Sequence, residues 1–95
     1  MNGDNPETEL EKNLTISNEL GLHARCAAQI AELAQKADGG VNIRHKGQMV
    51  DAASMLDILT LAAGKGEEIT VIIKDATDEH VLREIARLVE SGFGE

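Results

Sequence analysis

The chain has 95 residues, 42% of them hydrophobic, with Phe93 its only aromatic residue and Cys26 its only cysteine. That length suits one small domain, a lone thiol rules out an internal disulfide, and a formal charge of −8 argues against nucleic-acid binding, which needs clustered Lys and Arg. No apolar run nears the roughly 20 residues of a membrane span, and "MNGDNPETELEK" lacks the basic flank and apolar stretch of a secretion signal, so a cytoplasmic protein without membrane insertion is expected.

The acidity is uneven along the chain. Asp4, Glu7, Glu9 and Glu11 precede the first basic residue, which leaves 9 basic and 13 acidic residues from Lys12 onward, a balance of −4. A locally basic site is therefore compatible with the overall charge. Residues 1–11, which hold the only proline, read as an acidic disordered extension, and residues 12–95 as the folded domain.

In "NLTIS", Asn13 to Ser17, Leu14 and Ile16 share one face, the period of a half-buried strand. A turn through Leu22 follows. From Ala24 to Ala37, Ala27, Ile30, Leu33, Ala34 and Ala37 recur at steps of three and four, which predicts an amphipathic helix stopped by Gly39 and Gly40. "VNIRH" and "MVD" alternate on either side of "KGQ", so Val41–His45 and Met49–Asp51 read as a hairpin. Ser54 is a good N-cap for an apolar helix running to Gly64. Glu68–Lys74 is apolar enough to be a central strand, and Asp78 is expected to cap a last helix that ends near Gly92.

The order is βαββαβα. It implies an α+β domain in which three helices cover one face of a mainly antiparallel sheet. The other face should be solvated through Asn13, Thr15, Asn42, Arg44, Thr70 and Lys74.

The stretch "GLHARC" places an imidazole, a guanidinium and a thiol where a helix begins. His23 beside the unpaired N–H groups of a first helical turn could carry a phosphoryl group, with the Arg25 guanidinium two residues on to bind its oxygens. Neutral imidazole is nucleophilic near pH 7, and its N–P bond is labile, which suits transfer better than hydrolysis. The plainer alternative is that His23 only caps the helix. Cys26 has two readings as well: a thiol activated by Arg25 and the helix start, or a small buried apolar residue. A metal site from His23 and Cys26 with His45 or His80 matches no standard zinc spacing, so no metal is expected. Ser54 is either a plain cap or a phosphorylation target beside the apolar Met55, Leu56 and Leu59.

Together, "GLHAR" and "VNIRHKGQMVDAASMLDILTLAAGKGEEITV" resemble the two signatures of HPr, the histidine phosphocarrier of the bacterial phosphoenolpyruvate-dependent phosphotransferase system. The resemblance covers nearly everything after the acidic tail. It implies an open-faced β-sandwich of four antiparallel strands and three helices, with no cofactor and no autonomous enzymatic activity. It also implies a monomer whose His23 takes a phosphoryl group on Nδ1 from enzyme I and passes it to an enzyme IIA domain. Arg25 would steady that group. Ser54 would be the target of HPr kinase/phosphorylase, and Leu22, Leu56 and Leu59 would form the docking surface. The chain departs from the family pattern at Cys26, where proline is usual, and at Asp57, in a docking helix that usually has a small neutral residue there. With the acidic tail, Asp57 points to a dedicated partner or a regulatory paralogue, and the alternative function is a protein-interaction module controlled by Ser54.

Overall fold

The computed structural model describes residues 9–95. Four strands, β1 (Leu10–Thr15), β2 (Val41–His45), β3 (Gln48–Asp51) and β4 (Glu68–Ile73), form one antiparallel sheet in the order β1-β4-β2-β3. Three helices, α1 (Ala24–Ala34), α2 (Met55–Leu59) and α3 (Glu79–Glu90), pack against one of its faces. This is the open-faced βαββαβα arrangement expected from the sequence.

Register explains how the sheet acquires one apolar face. Leu14 pairs with Ile69, Ile43 with both Val71 and Val50, and Val41 with Ile73, so each cross-strand pair points the same way. Those side chains meet Ala27, Ile30 and Ala34 of α1, Ile58 of α2, and Val81, Ile85 and Val89 of α3 in a single cluster. Fully burying one such aliphatic side chain contributes about 1.5–3 kcal/mol.

Several boundaries differ from the expectations. The first strand starts at Leu10, inside the stretch expected to be an extension, because Leu10 pairs with Ile73 and packs against the core. The remainder of that expected extension, residues 1–8, lies outside the described residues. Helix α1 ends at Ala34 rather than Ala37, as the amides of Lys36 and Ala37 switch to tighter bonds to Leu33 and Ala34. Helix α2 has only five residues. Its exit tightens in the same way, and Ala62 takes a φ of 51°, which turns Leu61 and Ala63 into the core. The hairpin turn is Lys46-Gly47, both at positive φ, the two-residue geometry that matches strand twist.

Two polar expectations also change. Thr70, expected on a solvated face, is buried: its hydroxyl donates to Asn13 Oδ1 at 2.7 Å, and Ile72 is buried on the same side of β4. Being central, β4 is covered by side chains of the strands on both flanks. Asp78 precedes α3 but makes no cap bond; its buried carboxylate accepts from the amides of Asp38 and Gly39 at 3.0 and 2.8 Å. It thereby ties the start of α3 to the α1–β2 turn. The side-chain cap at this junction is Asp75, which accepts from Thr77 N at 3.0 Å in the turn before α3.

Candidate functional site

The site is built on the entry to α1. Gly21 adopts φ +66°, and a Cβ there would stand 2.5 Å from Ala63 O and 2.7 Å from Gly64 Cα. Only glycine fits that contact, which lets Leu22 N donate to Ala63 O at 3.0 Å. The loop Gly64–Glu67 is in turn held by Glu67, whose carboxylate accepts from Gly64 N at 2.8 Å and contacts His45 Nε2 and Lys46 Nζ at 3.0 and 2.8 Å. Lys46, with the Gly64 amide and His45, holds the Glu67 carboxyl down at about 2. The floor under the His23 loop is thus fixed from the β2–β3 turn, at the end of the sheet where β1 ends and β4 begins.

His23 occupies the N-cap of α1 in an extended conformation, and its Nδ1 accepts from Arg25 N at 3.3 Å. A backbone amide can only donate, so this bond assigns the lone pair to Nδ1 and the proton to Nε2. Nε2 lies 2.8 Å from Glu95 Oε2, to which it donates. The capping reading and the phosphoryl reading of His23 therefore describe the same atom: the nitrogen that caps the helix is the one free to act as a nucleophile. It sits where the helix dipole and first-turn amides favour negative charge.

Glu95 was not found from the sequence. It lies 70 residues beyond Arg25, and no local pattern marks it. Gly92, Phe93 and Gly94 all have positive φ, and Phe93 is buried, so the chain folds back with Phe93 as its anchor and delivers Glu95 onto the site. Glu95 Oε2 accepts from His23 Nε2 and from Arg25 Nη2. The hydrogen bond from His23, aided by the charge of Arg25, holds the Glu95 carboxyl below its ordinary range.

Cys26 is fully buried, with Sγ 3.3 Å from His23 Nε2 and 3.8 Å from Glu95 Oε2. Asn18, also buried, directs Nδ2 toward Sγ at 3.6 Å and donates to Gly21 O at 2.7 Å. Burial first, and then the Glu95 charge, pushes the Cys26 thiol up, outweighing Arg25. Of the two readings of Cys26, the geometry favours the small buried residue over the thiol activated by Arg25: the helix start does supply positive potential, but desolvation of the anion is larger. His23, Cys26 and Glu95 bring three ligand atoms within 4.8 Å of one another. The cluster forms with Glu95, and not with His45 or His80 as weighed from the sequence.

Ser54 caps α2, its Oγ accepting from Asp57 N at 3.2 Å. Leu22, expected on a docking surface, is only 5% exposed and belongs to the core, and Leu59 is half-buried against it. Leu56 is 69% exposed, and the other large apolar side chains presented to solvent among the described residues are Leu20, Met49 and Met55. Met55 and Arg25 line one open groove between α1 and α2, with Ala28, Glu32 and Ala53. Leu20 went unnoticed because a lone leucine in a loop carries no periodic signal.

Among the described residues, no helix is long and apolar enough to cross a membrane. The sequence profile of a family described as "PTS HPr component phosphorylation site" matches residues 10–91. Phosphocarrier protein NPr of Shewanella violacea is 40% identical over 88 residues, covering 93% of this chain and 97% of that one. Phosphocarrier protein HPr of Xylella fastidiosa is 38% identical over 87 residues, covering 90% and 97%. Among solved structures, HPr from Thermoanaerobacter tengcongensis superposes with a TM-score of 0.84 at 29% identity, covering 90% of this chain and 97% of that one.

Proposed function

The chain belongs to the HPr family of phosphotransferase-system phosphocarriers, and from this premise we propose that His23 is its phosphoryl-accepting residue. The observation that carries the proposal is the Nδ1 lone pair held at the N-terminus of α1. Nδ1 attacks the phosphorus of a phosphorylated enzyme I; the new N–P bond forms as the donor's bond to phosphorus breaks, and Nε2 keeps its proton throughout. The incoming group displaces the Arg25 amide from Nδ1 and meets the first-turn N–H groups, whose dipole contributes about 0.3–1 kcal/mol toward an anion there. Arg25, whose side chain is 59% exposed, is free to swing from Glu95 to the phosphoryl oxygens. An enzyme IIA domain then accepts the group by the reverse displacement. The protein acts as a covalent relay rather than an autonomous catalyst.

Docking falls to the exposed apolar side chains around this site, Leu20, Met55 and Leu56, in place of the buried Leu22. The test is incubation with enzyme I and phosphoenolpyruvate. An acid-labile mass increase of one phosphate is expected, and its persistence in His23→Ala would refute the assignment.

A second reading adds regulation at Ser54, as in a paralogue that works by protein interaction. It is supported by the position of Ser54 beside the exposed Met55 and Leu56, and by the resemblance to a protein named NPr. A phosphate on Ser54 would bring about two negative charges next to that apolar surface and to Asp57. HPr kinase/phosphorylase with ATP should label wild type and leave Ser54→Ala unlabelled; equal labelling of both removes this reading.

A further inference from the structure

We propose that His23 Nε2, Cys26 Sγ and the Glu95 carboxylate form a three-ligand site for a thiophilic divalent transition metal of the zinc class, whose occupancy excludes phosphoryl acceptance at His23. The second half rests on the carrier reading above; the metal site itself does not.

His23 and Cys26 are three residues apart on one face of the first turn of α1, so their ligand atoms converge at 3.3 Å. Glu95 brings its Oε2 to 2.8 Å from Nε2 and 3.8 Å from Sγ. In a tetrahedral zinc site with bonds of about 2.0–2.3 Å, neighbouring donors stand about 3.2–3.6 Å apart. The three atoms need shifts of only a few tenths of an ångström to reach that spacing. A thiolate, an imidazole and one carboxylate form a donor set that zinc-class ions favour over magnesium or calcium, which prefer all-oxygen shells. Three protein ligands leave a fourth position for water. Asn18 Nδ2 points at Sγ from 3.6 Å and would donate to the metal-bound thiolate, holding its orientation. Arg25 opposes the site in two ways: its guanidinium bonds Glu95 Oε2 in the present arrangement, and its backbone amide donates to the Nδ1 that must take up the proton, so metal binding breaks that cap bond. The guanidinium lies mostly in solvent and yields the carboxylate oxygen by swinging outward.

Binding balances without any redox change. The Cys26 thiol proton leaves to solvent, the Nε2 proton shifts to Nδ1, and the metal takes the Nε2 lone pair, the sulfur and a carboxylate oxygen. One proton is released per metal. With its proton now on Nδ1, His23 has no lone pair there to attack phosphorus, so metal binding and phosphoryl acceptance oppose each other.

The experiment titrates chelator-stripped full chain with Co²⁺ and Zn²⁺. Expected are one ion per chain, release of one proton, and a thiolate-to-cobalt charge-transfer absorption. Cys26→Ser should abolish that absorption, Cys26→Ser and Glu95→Gln should each weaken Zn²⁺ binding by at least the roughly 10–100-fold that losing an outer partner of a ligand costs, and His80→Ala should leave both unchanged. Absence of the absorption in wild type, or unchanged Zn²⁺ affinity in both Cys26→Ser and Glu95→Gln, overturns the site. For the exclusion, phosphoryl transfer from pre-phosphorylated enzyme I is compared with and without Zn²⁺. Zn²⁺ should suppress transfer to wild type and not to Cys26→Ser; equal suppression of both overturns the exclusion. If metal-free protein takes no phosphoryl group while the cobalt absorption is present, the carrier reading fails and the metal site stands.

Discussion

Replacing Gly21 by alanine tests how the His23 loop is positioned. The new Cβ would meet Ala63 O at 2.5 Å and Gly64 Cα at 2.7 Å, and both neighbours are backbone, which cannot rotate away. The residue also sits at φ +66°, which costs a non-glycine residue about 1–2 kcal/mol. Forcing the loops apart adds the penalty of overpacking, about 1–3 kcal/mol, and stretches the bond from Leu22 N to Ala63 O. The sum is about 2–5 kcal/mol, a large part of the stability of a small domain. Gly40→Ala is the matched control, since its φ is +88° and nothing lies within 4 Å of the added carbon. It carries only the conformational cost, and the gain from a stiffer unfolded chain is common to both variants. Urea unfolding of the two, at equal m-values, should therefore place Gly21→Ala about 1–3 kcal/mol below Gly40→Ala. A difference under about 0.5 kcal/mol would show that the loops give way freely, and would refute the claim that this contact sets the height of His23.

Removing the Asp78 carboxylate orphans two amides, so Asp78→Ala should cost about 2–5 kcal/mol, measured by chemical denaturation; a loss below 1 kcal/mol would mean those amides find other partners. The Glu67 carboxyl, depressed to about 2 from 4.5 by Lys46, the Gly64 amide and His45, contributes stability that is fully present above pH 4.5 and is lost as the pH falls toward 2. The urea midpoint of wild type should accordingly drop more steeply across that window than that of Glu67→Gln, and parallel curves would contradict the shift. Cys26, buried with its thiol pushed up, should react with iodoacetamide at neutral pH far more slowly in the native chain than in urea; equal rates would place it at the surface.

Much of this protein is legible in one dimension. The period of two in β1 and β2 and the apolar stripes of α1 and α3 assign those elements, because burial on one face imposes the repeat, and the near-continuous apolar run of β4 marks it as a central strand. Ser54 as a cap and Lys46-Gly47 as a turn follow from local backbone chemistry alone. "GLHAR" locates the candidate imidazole, and the amide that bonds its Nδ1 lies two residues on. What periodicity could not show is whatever depends on residues far apart in the chain. Thr70 reads as a solvent-facing residue of an alternating strand and is buried because β4 is flanked on both sides. The resemblance puts Leu22 on the docking surface, and it is core because Gly21 bends the chain onto Ala63. Asp78 stands where a cap belongs, yet its carboxylate bonds a turn 39 residues earlier.

The same division runs through the candidate site. Sequence alone determined that an imidazole, a guanidinium and a thiol share one helical turn. The tertiary structure decided their chemistry: burial and a carboxylate brought in from Glu95 raise the thiol instead of activating it, and the same carboxylate holds the proton that leaves Nδ1 free. The physical reason is that charge and desolvation act through space, and the fold sets which distant groups come within a few ångströms of His23.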